Sequence, residues 1–198
     1  MAVSVILLAA GSSSRMGQSK QLLPWREGTL LTHAAKTAID SRVGHVFVVL
    51  GSNEATHKKS LEGIPVSIVN NPSWEKGMGS SLKAGLAKAR DVSNAVIVMV
   101  CDQPFVTTDH LNNIIEHFDK TDQQVVASKY LDAIGVPALF GKSMFDELNS
   151  IGDEEGARKV IEKYREVAVV YLKSGEDLDT PEDYIKAGGL PLWGNDVS

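Results

Sequence analysis

The chain has 198 residues, 43% of them hydrophobic and 23% charged, with a formal net charge of −5 and one cysteine. These values describe a soluble globular protein of one-domain size. They argue against a nucleic-acid partner, as no sustained basic block is present, and against a membrane span, as no apolar run approaches roughly 20 residues. Cys101 stands alone, which excludes an intrachain disulfide, makes a Cys-based zinc site implausible and points to a reducing cytoplasm.

Residues 1–10 are apolar, lack a basic leading segment and run straight into a glycine loop. They predict a core strand at 3–8 rather than a secretion signal. Helical periodicity at 30–39, 54–61, 80–89 and 107–118 alternates with Val/Ile/Leu-rich strands at 45–50, 65–69, 95–100 and 124–128. Two helices, 142–149 and 154–163, precede a last strand at 167–172. Thr180-Pro181-Glu182-Asp183 is a helix start: a good N-cap, a proline at the first helical position and acids favoured by the dipole. Strands apolar on both faces alternating with helices predict an α/β fold, one three-layer α/β/α domain over 1–188 with a mainly parallel, Rossmann-like sheet. The tail over 189–198 is expected to be loosely ordered.

Ligands bind such sheets beyond the carboxyl ends of the strands, where three loops fall. The first runs Leu8-Ala9-Ala10-Gly11-Ser12-Ser13-Ser14-Arg15-Met16-Gly17-Gln18-Ser19-Lys20. Polyphosphate needs close backbone N–H groups and fixed positive charge; Gly11 and Gly17 allow the approach, and Arg15 and Lys20 carry the charge. The spacing is not that of a Walker loop, and the three-glycine dinucleotide fingerprint is missing. The second loop is Asn70-Asn71-Pro72, and the third is Asp102-Gln103-Pro104. Asp102 ends an apolar strand, so its carboxylate is delivered to the sheet rim, as a turn cap or as a hard ligand suited to Mg²⁺. Gly77, Ser80 and Ser81 lead into a helix, where the serines can cap it, contact a nucleotide, or both. Asp177 and Asp179 are not explained by the capping of the helix after Thr180. The histidines have no paired metal-ligand spacing; His33, His110 and His117 predict solvated or core-edge positions.

The opening segment resembles the signature L-A-[AG]-G-x-S-x-R-M-G-x-x-K-x-L-L of the nucleotidyltransferases of molybdenum cofactor synthesis. The resemblance continues through Asn71-Pro72-Ser73-Trp74 to Gly85-Leu86, Asp102-Gln103-Pro104, Pro137-Ala138-Leu139-Phe140 and Asp177 to Tyr184. It implies a fold of the nucleotide-diphospho-sugar transferase type. It also implies that Lys20, Arg15 and Asp102 are catalytic and that Asp102 and Asp179 hold Mg²⁺, with Mn²⁺ as an alternative. Leu8, Ala9, Ala10, Gly11, Ser12, Ser14, Arg15, Lys20, Asn71, Gly77, Ser80 and Ser81 would bind the nucleotide, and Gln103, Pro104, Pro137, Arg158 and Asp177 the acceptor. In this family the third position of the signature is Gly in guanylyl- and Ala in cytidylyl-transferring members. Ala10 therefore favours CTP, since a methyl in the pocket crowds a purine more than a pyrimidine.

The implied acceptor is molybdopterin, molybdenum-loaded, and the product a cytosine dinucleotide for hydroxylases of the xanthine-dehydrogenase type, reached through transient contact. The alternatives are a guanylyltransferase using GTP and a non-catalytic carrier of the cofactor. Two departures from the family pattern fall on the acceptor side. Gly152-Asp153-Glu154-Glu155-Gly156-Ala157-Arg158 has one residue more than G-D-x-G-A-R, and Val136 stands where a polar residue is often found.

Overall fold

The computed structural model describes residues 2–13, 18–130, 133–164, 167–172 and 177–189. The chain forms β1 (Val3–Leu8), a small hairpin of β2 (Pro24–Trp25) and β3 (Gly28–Thr29), α1 (Leu30–Ile39), β4 (His45–Leu50), α2 (Glu54–Ser60) and β5 (Ser67–Asn70). It continues with α3 (Met78–Ala89), β6 (Ala95–Val100), α4 (Thr108–Lys120), β7 (Val125–Tyr130), β8 (Ala133–Gly141), α5 (Phe145–Ser150), α6 (Arg158–Lys163), β9 (Ala168–Tyr171) and α7 (Pro181–Lys186). Among the described residues, seven strands build one sheet in the order β5-β4-β1-β6-β8-β7-β9. β5, β4, β1 and β6 are parallel, β8 is antiparallel to both neighbours, and β9 is parallel to β7.

Alternation along β1 builds both core layers. Val5 and Leu7 pack with Leu31 and Ala34 of α1 and Ile114 of α4. Ile6 and Leu8 pack with Leu82 and Leu86 of α3 and Phe145 and Leu148 of α5. A strand with helices on both faces must be apolar on both, which is why β1 reads as a continuous hydrophobic run. α3 lies close to the sheet because Gly85 has no side chain: a Cβ there would sit 2.4 Å from Ile6 Cγ2 and 2.9 Å from Val49 Cγ2. The glycine-serine loop after β1 and Asp102 thus share one rim, at the carboxyl ends of adjacent parallel strands.

Strand periodicity does not predict the short hairpin strands β2 and β3 or, in the main sheet, β8. Gly135, Pro137 and Gly141 interrupt its apolar run, and a proline inside a run argues against a sheet interior. The β7–β8 register shifts between Ala127 and Ser128, and the Ser128 hydroxyl donates to the Pro137 carbonyl (2.6 Å), with a cis Val136–Pro137 bond alongside. The second late helix begins at Arg158 rather than 154, because 152–157 form a loop seated on the start of α3. The predicted helix after Thr180 is present, and Thr180 and Asp183 form a reciprocal capping box.

His110, expected at a solvated or core-edge position, lies inside the core. Ser128 has one hydroxyl proton and gives it to Pro137, so His110 Nε2 donates to Ser128 Oγ (2.7 Å). Burial pushes the His110 pKa down from 6.5 to about 4. As pH falls the unfolded chain therefore takes up this proton first, and stability that is full above pH 6.5 declines until about pH 4. His33 and His57 are shifted in the same direction, also by burial. We expect the His110 contribution to fall by roughly 2 kcal/mol between about pH 7.5 and about pH 5. The measurement is the urea midpoint of wild type and His110→Gln at both pH values. Equal acid sensitivity in the two proteins would contradict the assignment.

Candidate active site

A cleft of about 340 Å³ opens at the ends of β1 and β6. Leu8, Ala9, Ala10, Gly11 and Ser12 line it from the first loop, Gly77 and Ser81 from the start of α3, and Lys20 and Asp102 from its inner end. Trp74, Glu75, Met78, Gln21, Ser13 and Cys101 also line it, and sequence reasoning did not select them. Asn71 and Ser80 sit one layer back. Asn71 Nδ2 donates to Ser80 Oγ and Ser81 Oγ, both at 2.9 Å, and Ser80 Oγ lies within hydrogen-bond reach of the Gly77 carbonyl (2.8 Å) and the Ser73 carbonyl (3.0 Å). These two residues shape the wall that presents Ser81 and Gly77. Ser14 and Arg15 lie outside the described residues.

The N-terminus of α3 is held by the 152–157 loop. Gly77 has φ +119°, a backbone conformation that favours glycine, and a Cβ on it would lie 2.7 Å from the Asp153 carbonyl oxygen. The backbone N–H of Ser80 donates to that same carbonyl (3.2 Å), and Lys83 Nζ pairs with Asp153 Oδ1 (2.8 Å). The loop carrying the extra residue thus supports the cleft wall at Gly77 and Ser81.

At the inner end, Lys20 Nζ donates to Asp102 Oδ2 (2.8 Å) and to Asp179 Oδ1 (2.9 Å). Asp179 reaches this point because Leu178 is anchored twice. Its N–H donates to the Asp102 carbonyl (3.0 Å), and its side chain packs with Leu23, Trp25, Leu30 and Tyr184. The Tyr184 hydroxyl donates to the Pro24 carbonyl and ties α7 to the hairpin. Burial alone would lower the Lys20 pKa, but the charge of Asp102, with both aspartates as hydrogen-bond partners, outweighs it, and the pKa is raised. Asp177 completes an acidic group. Burial of its carboxyl, followed by the negative charge of Asp102, pushes its pKa up to about 6, even though the residue as a whole is exposed.

Gln103 hydrogen-bonds to Asp177 and to Tyr130, and Tyr130 feels the charges of Asp177 and Arg158. Tyr130, on β7, is a further candidate for the acceptor side that no local pattern marked. Pro104, Pro137 and Arg158 do not line the cleft. The Pro104 carbonyl accepts from His33 Nε2 (3.0 Å), the Pro137 carbonyl from Ser128, and Arg158 Nε pairs with Glu162 (2.9 Å).

The donor set can be tested against a divalent cation. Asp102 Oδ1 is buried and has no hydrogen-bond partner among the described residues. A bare buried carboxylate oxygen calls for a partner, and a cation beside it would supply one. No group of three His, Cys, Asp or Glu side chains forms a cage among the described residues. Two carboxylates, Asp102 and Asp179, meet at Lys20, and Mg²⁺ takes one or two carboxylates and completes its shell with substrate phosphates and water.

A glycine-serine loop on β1, a buried lysine between carboxylates and a rim aspartate on a parallel strand are the parts that a nucleotidyltransferase needs to handle nucleotide phosphates. The chain belongs to the MobA-like NTP transferase domain family, whose sequence model matches residues 5–167. It is similar to the purine catabolism protein PucB of Bacillus subtilis, 33% identical over 196 residues, 90% of this chain and 92% of that protein. Nicotine blue oxidoreductase of Paenarthrobacter nicotinovorans is 37% identical over 114 residues, 57% of this chain and 55% of its own. The molybdenum cofactor cytidylyltransferase of Escherichia coli is 25% identical over 188 residues, 94% of this chain and 95% of that protein. Among solved structures, Rv0371c of Mycobacterium tuberculosis superposes with a TM-score of 0.81 at 28% identity, covering 94% of this chain and 96% of its own. Its complex with manganese superposes with a TM-score of 0.78 at 26% identity, covering 94% and 97%. CMP:2-keto-3-deoxy-manno-octonic acid synthetase shares the fold alone, with a TM-score of 0.73 at 11% identity over 94% of this chain and 97% of its own. The fold is therefore that of the nucleotide-diphospho-sugar transferases, with a mixed, mostly parallel sheet. No helix among the described residues is long and apolar enough to cross a membrane.

Proposed function

We propose that this protein, through one nucleotidyltransferase domain over 1–188 acting in the cytoplasm, transfers CMP from CTP to the terminal phosphate of molybdenum-loaded molybdopterin. Pyrophosphate leaves, and the product is molybdopterin cytosine dinucleotide. The observation that carries the reading is Lys20, held between Asp102 and Asp179 at the inner end of a cleft whose wall includes Ala10. Identity does not decide the base, because the cytidylyltransferase relative stands at 25% and a probable guanylyltransferase of Bacillus mycoides at 26%. The methyl of Ala10 is the local feature that favours the smaller base. Similarity to a purine catabolism protein fits a product destined for a purine-oxidising hydroxylase of the xanthine-dehydrogenase type. The oxidoreductase relative covers little more than half the chain, and the loop lacks the spacing of a dinucleotide fingerprint.

The acceptor phosphate is already ionised near neutral pH, so its oxygen needs no strong base to attack the α-phosphorus, and positioning with charge stabilisation accounts for most of the rate. Lys20 presents its ammonium to the α-phosphate and the charge that develops there. Gly11 and its neighbours leave room for phosphate to approach the backbone, and Arg15 is assigned to the β- and γ-phosphates. Asp102 and Asp179 would hold Mg²⁺ or Mn²⁺, which when bound neutralises phosphate oxygens; the manganese complex of Rv0371c supports that choice. Gln103, Asp177 and Tyr130 face the acceptor.

The test is pyrophosphate release with Mg²⁺ and molybdenum-loaded molybdopterin, CTP and GTP compared at equal concentration. We expect CTP to be preferred by about tenfold or more, the worth of a methyl in a pocket, and Ala10→Gly to narrow the gap. Preference for GTP would overturn the base assignment. Bound cofactor with no release from either nucleotide would overturn the enzyme reading in favour of a carrier.

A further inference from the structure

His57 is fully buried on α2, behind the loop that carries Lys20. Its Nε2 lies 2.6 Å from Ser19 Oγ. The one hydroxyl proton of Ser19 goes to Gln21 Oε1 (2.9 Å), so the imidazole must be the donor to Ser19. Gln21 is itself buried, and its amide is saturated. Oε1 accepts from Ser13 Oγ (2.9 Å) as well as from Ser19, while Nε2 donates to the carbonyls of Gly11 (2.7 Å) and Ala9 (3.3 Å). Ala9, Gly11 and Ser13 form the entry of the nucleotide loop; Ser19 and Gln21 form its exit. Ser13 adopts φ +55°, which costs a non-glycine residue energy, and the bond to Gln21 helps to hold its side chain there. Lys20 and Gln21 share a single 3₁₀ turn, so fixing Gln21 also fixes the direction from which Lys20 reaches the aspartates.

We infer that His57 is a positioning residue for nucleotide binding: through Ser19 it fixes the Gln21 amide, which ties the two ends of the phosphate loop together and preorganises Lys20. The inference rests on the nucleotide-site reading above and adds a residue that touches neither the cleft nor its ligand. A histidine that merely filled core space would make the same apolar contacts with any ring partner, and its loss would register as stability alone.

The experiment compares wild type with His57→Leu, His57→Gln, Ser19→Ala and the double variant His57→Leu with Ser19→Ala. It reads CTP affinity by calorimetry in the presence of Mg²⁺, the thermal midpoint, and amide hydrogen exchange of 9–13 in the protein without nucleotide. His57→Leu is expected to weaken CTP about tenfold, the worth of roughly one hydrogen bond, and to speed exchange at Gly11 and Ser13. His57→Gln, which keeps an N–H donor, should recover most of both effects. The double variant should be no worse than the poorer single one, since both cut the same chain of contacts. A folded His57→Leu that binds CTP and exchanges as wild type does would overturn the proposal. So would additive losses in the double variant, or stability changes that Gln does not rescue. Faster exchange in His57→Leu together with no CTP bound by wild type would place the failure in the nucleotide-site reading and take the positioning role with it.

Discussion

Lys20→Met is expected to lower kcat/KM for pyrophosphate release by about 100-fold to 1000-fold, the range seen when one preorganised charge partner of a transition state is removed. The ammonium sits between Asp102 and Asp179 at 2.8 and 2.9 Å with 11% of its side chain exposed, so neither water nor a mobile surface lysine can take its place. Removing it leaves Asp102, Asp177 and Asp179 facing one another without compensation. The Asp177 pKa, already about 6, should rise further, and the variant should lose CTP affinity as well as turnover. Lys20→Arg should fail to rescue, because a planar guanidinium cannot occupy a pocket shaped for a compact ammonium. Steady-state kinetics with both variants check this, and activity within tenfold of wild type in Lys20→Met would remove Lys20 from the catalytic set.

Asp102→Asn should cut turnover by about 1000-fold while leaving the fold intact, since the amide is nearly isosteric and can still accept from Lys20. The amide lacks the charge that pairs with a cation, and Asp102 Oδ1, at the inner end of the cleft, is buried with no hydrogen-bond partner among the described residues. Mn²⁺ affinity, followed by electron paramagnetic resonance with CTP present, should fall by at least about tenfold with the loss of a charged ligand. A pure carrier of the molybdenum cofactor would keep its affinity for that cofactor in this variant and would show no turnover to lose. Unchanged Mn²⁺ binding in Asp102→Asn would move the metal assignment away from this residue.

The two halves of the site differ in how far sequence alone reveals them. The loop after β1 is legible because its cause is local: an apolar strand stops, glycine and serine follow, and basic residues come at short spacing. Asp102 is legible for the same reason, at the end of a run with no polar residue. The capping box at Thr180 and Asp183 likewise depends on residues three apart. β8 was hidden by its own glycines and proline, which lower strand propensity wherever they stand and are tolerated here beside a register shift. Gln21 carried only the faint signal of a polar residue between Lys20 and two leucines. His57, Ser19 and Tyr130 carried none, as nothing within a few residues of each distinguishes it from an ordinary helix, loop or strand position.

Periodicity and steric allowance are properties of neighbouring residues, so strand, loop and helix start could be read along the chain. Lys20 meets Asp102 across 82 residues and Asp179 across 159. That meeting exists only because β1 and β6 lie side by side in register and because Leu178 is buried beside Trp25 and Tyr184. Burial then does what composition cannot express. It removes water from Lys20, His57 and His110, and in that low-dielectric setting each partner, or its absence, sets the charge that the group carries.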